Sequence, residues 1–131
     1  MQPMEPEEKP EPLVLVIEDG PYIGEMIRTA LEDEGYRVRI QTTGRAGLAA
    51  ARRDRPSAIV LDLMLPDIDG QDILRALRED AATRLVPVIV MSAVAASLRP
   101  DERRHVQAVI RKPFELDDLF QALARVVKSP S

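Results

Sequence analysis

The chain has 131 residues, 45% hydrophobic and 31% charged, enough for one globular domain with a sizeable core and too few for two. It has no cysteine and one histidine, His105, which excludes disulfides, thiolate metal sites, thiol nucleophiles and multi-histidine metal centres. A net charge of −4 offers no general attraction to nucleic acid or anionic membrane, and no apolar run nears the ~20 residues that span a bilayer, so the default location is cytoplasmic.

Residues 1–12, MQPMEPEEKPEP, hold four prolines and four glutamates with almost nothing apolar. Such a segment cannot bury enough surface to offset its ordering entropy and reads as a disordered leader. LVLVI at 13–17 is wholly apolar, as expected of a strand buried on both faces, and it runs into Glu18 and Asp19. Pro21 suits the first turn of a helix capped by Asp19 or Gly20, and Ile23, Met26, Ile27, Ala30 and Leu31 recur at helical spacing up to a stop at Gly35. YRVRI at 36–40 alternates instead, which predicts a strand with one wet face at a sheet edge. Thr43 is placed to cap a helix carrying Leu48, Ala49 and Ala51 that stops before Pro56.

The segment AIVLDLMLPDIDG at 58–70 organises the rest. Its apolar run reads as a central buried strand that delivers Asp62 to the carboxyl end, where open α/β sheets bind ligands. Pro66, Asp67, Asp69 and Gly70 form a loop, with Asp69 able to cap a helix marked by Ile73, Leu74 and Leu77. VPVIVM at 86–91 is the next strand, ending at Ser92 and Ala93. Between 94 and 107 the apolar spacing is interrupted by Pro100, which predicts a shortened or broken helix. AVIRK at 108–112 is a last short strand, and Leu116, Leu119, Phe120 and Leu123 give the final helix its stripe, with Asp117 and Asp118 early and Arg125 and Lys128 late. Five strand–helix repeats in strict alternation make a parallel sheet with helices on both faces.

Four polar sites share one address. Glu18 with Asp19, Asp62, Ser92 and Lys112 each close a different apolar strand, so a parallel sheet brings them together. Crowded carboxylates repel unless a cation joins them, and an oxygen-only donor set suits Mg²⁺. With a lysine and a hydroxyl added, the cluster describes a site for the oxygens of a transferring phosphoryl group.

VLVIEDG, LDLMLPDIDG, VIVMSA and IRKPF, in that order and at these intervals, resemble the receiver domain of two-component response regulators over roughly residues 13–128. The resemblance implies a flavodoxin-like fold of five parallel strands, doubly wound, in the order 2-1-3-4-5. It makes Asp62 the phosphoacceptor, attacking a phosphohistidine or a small acyl phosphate. Asp19 and Asp62 would bind Mg²⁺ directly, Met64 would offer its backbone carbonyl, and Glu18 would act through water. Ser92 and Lys112 would each meet a phosphoryl oxygen, and the small Ala93 would leave the entry open. The implied partner is a sensor histidine kinase or a phosphotransfer protein. No direct nucleic-acid or membrane contact is implied, and weak homodimerisation stays open. The role is that of a signalling phosphoacceptor that promotes its own phosphorylation and dephosphorylation, not of an enzyme. Two departures fall on the face that reports phosphorylation. Val109 stands where the family usually has Tyr or Phe, and the 92–112 stretch is short and lacks the usual Gly-Ala.

Other readings stand beside this one. A phosphorylation-independent pseudo-receiver would act only as a docking module. A flavodoxin-like cofactor binder lacks a phosphate-cradling loop. DIDG at 67–70 resembles the Asp-x-Asp nucleophile of haloacid-dehalogenase-type phosphatases, but Asp67 follows Pro66 in a loop and does not close a strand. Arg45, Arg52, Arg53 and Arg55 read as a solvated basic face, and His105 as a surface residue. Residues 129–131 read as a tail or the start of a linker. The cis form is expected at Lys112–Pro113, where the lysine must turn back toward the site as the chain enters the last helix.

Overall fold

A computed structural model describes residues 11–94 and 98–127. The expected leader up to residue 10, the tail at 129–131, Lys128 and residues 95–97 lie outside them. The elements are β1 (Leu13–Ile17), α1 (Pro21–Asp33), β2 (Arg37–Gln41), α2 (Gly44–Asp54), β3 (Ala58–Leu61), α3 (Gly70–Glu79), β4 (Val88–Ser92), α4 (Pro100–Arg103), β5 (Ala108–Arg111) and α5 (Leu116–Val126). All strand pairs are parallel, in the order β2-β1-β3-β4-β5, as the resemblance implied.

Strand residues point alternately to the two faces, and two cores result. Leu15, Ile17, Ile59, Leu61, Val88 and Val90 face one way and meet Ala50 and Ala51 of α2 and Ile73, Leu74 and Leu77 of α3. Val14, Val16, Val60, Ile89, Met91 and Ile110 face the other way, toward Ile27 and Leu31 of α1 and Leu119 and Leu123 of α5. Each fully buried side chain of this size contributes about 1.5–3 kcal/mol, so the unbroken apolar runs of β1, β3 and β4 follow from burial on both faces. Arg37 and Arg39 on the edge strand β2 stay exposed, as the alternation there required.

Several boundaries differ from the sequence expectation for identifiable reasons. Tyr36 N–H bonds back to the Leu31 carbonyl at the end of α1, so β2 begins one residue later. Gly35 makes that turn at φ 94°, where a side chain would be strained. Pro87 has no N–H for the ladder and Val86 N–H turns back to Thr83, so β4 begins at Val88 and ends on Ser92. On α1, Met26 is 46% exposed and is not part of the buried stripe. On α2 the buried residues are Gly44, Gly47, Ala50 and Ala51, and Ala49 faces solvent.

Gly20 holds the α1 cap position with no side-chain bond, so Asp19 does not cap that helix. Asp69 precedes α3 but caps it only through its backbone carbonyl, which accepts from Asp72 and Ile73 N–H. Thr43 does cap α2, its hydroxyl oxygen accepting from Ala46 N–H at 3.2 Å. The interrupted helix is a single turn behind Pro100. Lys112–Pro113 is cis.

Candidate functional site

The chain reverses winding direction between β1 and β3, and side chains at their carboxyl ends meet across that crevice. Glu18 follows β1 directly, Asp62 follows β3, Ser92 closes β4 and Lys112 follows β5. Lys112 Nζ donates to Glu18 Oε1 at 2.5 Å and to Asp62 Oδ2 at 2.9 Å. Glu18, Asp62 and Ser92 are buried, so these polar groups need the partners they have.

Three strand ends use the same local device, a side-chain oxygen accepting the N–H two residues on. Glu18 Oε2 takes Gly20 N–H at 3.1 Å, Asp62 Oδ1 takes Met64 N–H at 2.9 Å, and Ser92 Oγ takes Val94 N–H at 3.3 Å. The nearby Ser92 hydroxyl also favours the charged form of the Asp62 carboxylate.

The two buried acids respond in opposite ways. Burial pushes the Asp62 carboxyl up, but Met64 N–H, the Lys112 ammonium and the Ser92 hydroxyl together leave its pKa below the ordinary aspartate value. For Glu18 burial prevails over its bonds to Lys112 and Gly20, and the neighbouring Asp62 charge adds to it, so its pKa is raised. Burial lowers the Lys112 pKa, yet the two carboxylates outweigh it and hold the ammonium charged. Asp62 is therefore ionised at neutral pH.

Glu18, Asp19 and Asp62 each offer a carboxylate oxygen, and these oxygens lie within 4.8 Å of one another. Three carboxylates against one lysine leave two formal negative charges uncompensated, which fits a divalent cation with oxygen ligands. Both Glu18 oxygens are already engaged, whereas Asp19 is exposed and makes no hydrogen bond or ion pair among the described residues. Asp19 is thus open to direct ligation. An open cleft runs from Asp19 along Leu63, Met64, Leu65 and Pro66 to Val94. Ala93 is exposed and lines a pocket together with Ile23, Met26, Lys112, Pro113 and Phe114.

Every strand-end residue singled out from the sequence thus enters one cluster. Val109 does not: it pairs with Val90 in the ladder and packs on the α2–α3 core. Asp67 lies in the loop after Pro66 as expected, and its carboxylate accepts Gly44 N–H at 2.7 Å and Arg45 N–H at 3.0 Å. The partners lie 23 and 22 residues away, and no local pattern announces such a bond.

Comparison with known proteins agrees with this geometry. The response regulator receiver domain family model matches residues 14–124. The KDP operon transcriptional regulatory protein KdpE of Escherichia coli is 41% identical over 120 residues, covering 86% of this chain and 49% of that protein. The probable transcriptional regulatory protein TcrX of Mycobacterium tuberculosis is 34% identical over 119 residues, covering 88% of this chain and 49% of that protein. The chain thus spans about half the length of these curated relatives. A crystal structure of the receiver domain of a Pseudomonas aeruginosa sensor histidine kinase, with a magnesium ion coordinated in the active-site cleft, superposes with a TM-score of 0.80. It is 31% identical, with 91% of this chain and 99% of that one covered.

Proposed function

The chain belongs to the response regulator receiver domain family, whose function is phosphorylation-dependent switching, and on that premise we propose that Asp62 is its phosphoacceptor. One observation carries the proposal: the buried, ionised Asp62 carboxylate lies with an ammonium, a hydroxyl and two further acids at the carboxyl ends of the strands. An Asp62 oxygen would attack the donor phosphorus, forming a P–O bond as the donor's P–N bond breaks and its electron pair leaves with the imidazole. With an acyl phosphate, a carboxylate leaves instead.

Mg²⁺ would be held by Asp19 and Asp62, by the Met64 backbone carbonyl, and by Glu18 through water, and when bound it supplies positive charge to the phosphoryl oxygens. Lys112 and Ser92 would shift part of their bonding from the free carboxylate to those oxygens. The acidic donor set and the magnesium-bearing cleft of the Pseudomonas aeruginosa relative support this reading.

The proposed role is a signalling phosphoacceptor that promotes its own phosphorylation and dephosphorylation. A sensor histidine kinase or phosphotransfer protein would be the donor, in the cytoplasm, with at most weak self-association. Among the described residues no helix is long and apolar enough to cross a membrane. We propose no direct nucleic-acid contact for the receiver, residues 13–128, although the relatives named as transcriptional regulators extend beyond the half that this chain matches. The docking-module alternative has no observation in its favour.

Titration with beryllofluoride and Mg²⁺, followed by amide spectra, tests the reading. Saturable shifts around Asp62, Ser92 and Lys112 that require both components are expected. Unchanged spectra would leave only a docking role.

A further inference from the structure

We infer that Asp67 is a positioning residue for this site: by gripping the amino end of α2 it fixes the loop that forms one wall of the Mg²⁺ cleft. The inference rests on the phosphoacceptor reading. The loop leaves Asp62 and is closed at its base by Gly70 N–H donating to the Leu63 carbonyl at 3.1 Å. An antiparallel bridge between Met64 and Asp69 narrows it further. At its tip the Asp67 carboxylate takes the first two N–H groups of α2, from Gly44 and Arg45, while Thr43 takes the third, from Ala46. The helix end is thus satisfied jointly by its own cap and by a distant loop.

The fit at that contact is close. A Cβ added at Gly44 would lie 2.8 Å from Ile73 Cδ1, 3.1 Å from Ile68 Cβ and 3.2 Å from Asp67 Oδ1. A side chain there would require Ile73 to move its terminal methyl and Ile68 and Asp67 to give by a few tenths of an ångström. The two N–H groups also hold the Asp67 carboxyl below its ordinary pKa, so the grip is charged at neutral pH. Asp67 does not line the cleft, but Leu63, Met64, Leu65, Pro66 and Asp69 of the same loop do. Its influence therefore passes through the loop backbone, including the Met64 carbonyl.

Mg²⁺ titration of the whole chain, read from the amide shifts of Asp19 and Met64, tests the assignment in wild type, Asp67→Ala, Asp67→Asn and Thr43→Ala. Asp67→Ala is expected to weaken Mg²⁺ binding about tenfold, the low end for residues that orient metal ligands. Asp67→Asn keeps one acceptor oxygen and should fall between. Thr43→Ala removes a cap from the same helix end without touching the loop, so it should lower the Tm and leave Mg²⁺ affinity unchanged. Asp67→Ala binding like wild type, or Thr43→Ala weakening binding equally, would overturn the inference. If Asp67→Ala does not fold, Asp67→Asn must itself show weaker binding, or the inference fails. A wild type that does not bind Mg²⁺ overturns the phosphoacceptor reading as well, whereas an effect missing only in the variants overturns Asp67 alone.

Discussion

Lys112 Nζ sits 2.9 Å from Asp62 Oδ2 across 50 residues of chain, reaching past the end of β4 that separates their strands. The same ammonium holds Glu18, so one cation spans the acids of β1 and β3. The fold achieves this with no long-range signal in the sequence beyond the strand ends themselves.

Glu18 gives a pH test. Its folded pKa is raised above the ordinary glutamate value, chiefly by burial. A group raised in this way contributes stability that is fully present below the unfolded pKa and lost as pH rises through the folded one. In divalent-free buffer, the Tm difference between wild type and Glu18→Gln should therefore shift in favour of wild type as pH falls from neutral toward 4.5. A pH-independent difference would show that burial does not govern this carboxyl.

Gly70 is predicted not to tolerate a side chain. A Cβ there would fall 2.4 Å from Leu63 Cα, a backbone atom that cannot move aside cheaply. Gly70→Ala should lower stability in urea by about 1–3 kcal/mol with little change in m. Unfolding at the wild-type midpoint would refute the close approach.

The phosphate mimic should act through Ser92 and the segment after it, not through Val109. Ser92 is fully buried and holds Val94 N–H, so recruiting its hydroxyl disturbs that turn first. Val109 is β-branched, stiff at χ1 and packed in the ladder. Amide shifts should concentrate at residue 94 and over 98–107. Strong shifts at Val109 with that segment unchanged would be the wrong pattern.

How much was legible in advance follows the physics of each element. Unbroken apolar runs marked β1, β3 and β4 because burial on two faces leaves no polar position, and the acids, hydroxyl and lysine had to follow them. Capping was less legible, since Asp19, Asp69 and Thr43 all had suitable side chains and only Thr43 uses its own. Asp67 was missed because its partners belong to another helix. Val88 N–H likewise bonds the Gln107 side chain at 2.7 Å, a partner set by tertiary packing alone.

The phosphorylated state is predicted to be long-lived. Hydrolysis needs a water oriented toward phosphorus, and Met64 and Val94, two residues past Asp62 and Ser92 and both lining the cleft, cannot position one by a strong hydrogen bond. They are 57% and 36% exposed, so polar replacements fit without repacking the core. Met64→Asn with Val94→Glu should lose phosphate about tenfold faster, equivalent to ~1.4 kcal/mol of barrier. A double variant no faster than wild type would show that these positions do not control the water.

The most direct test of the whole account is mass spectrometry of wild type and Asp62→Asn after incubation with acetyl phosphate, with and without Mg²⁺. Wild type should gain a single phosphoryl group only when Mg²⁺ is present, and Asp62→Asn should gain none. Phosphorylation of Asp62→Asn to the wild-type extent would contradict the assignment of Asp62 as acceptor.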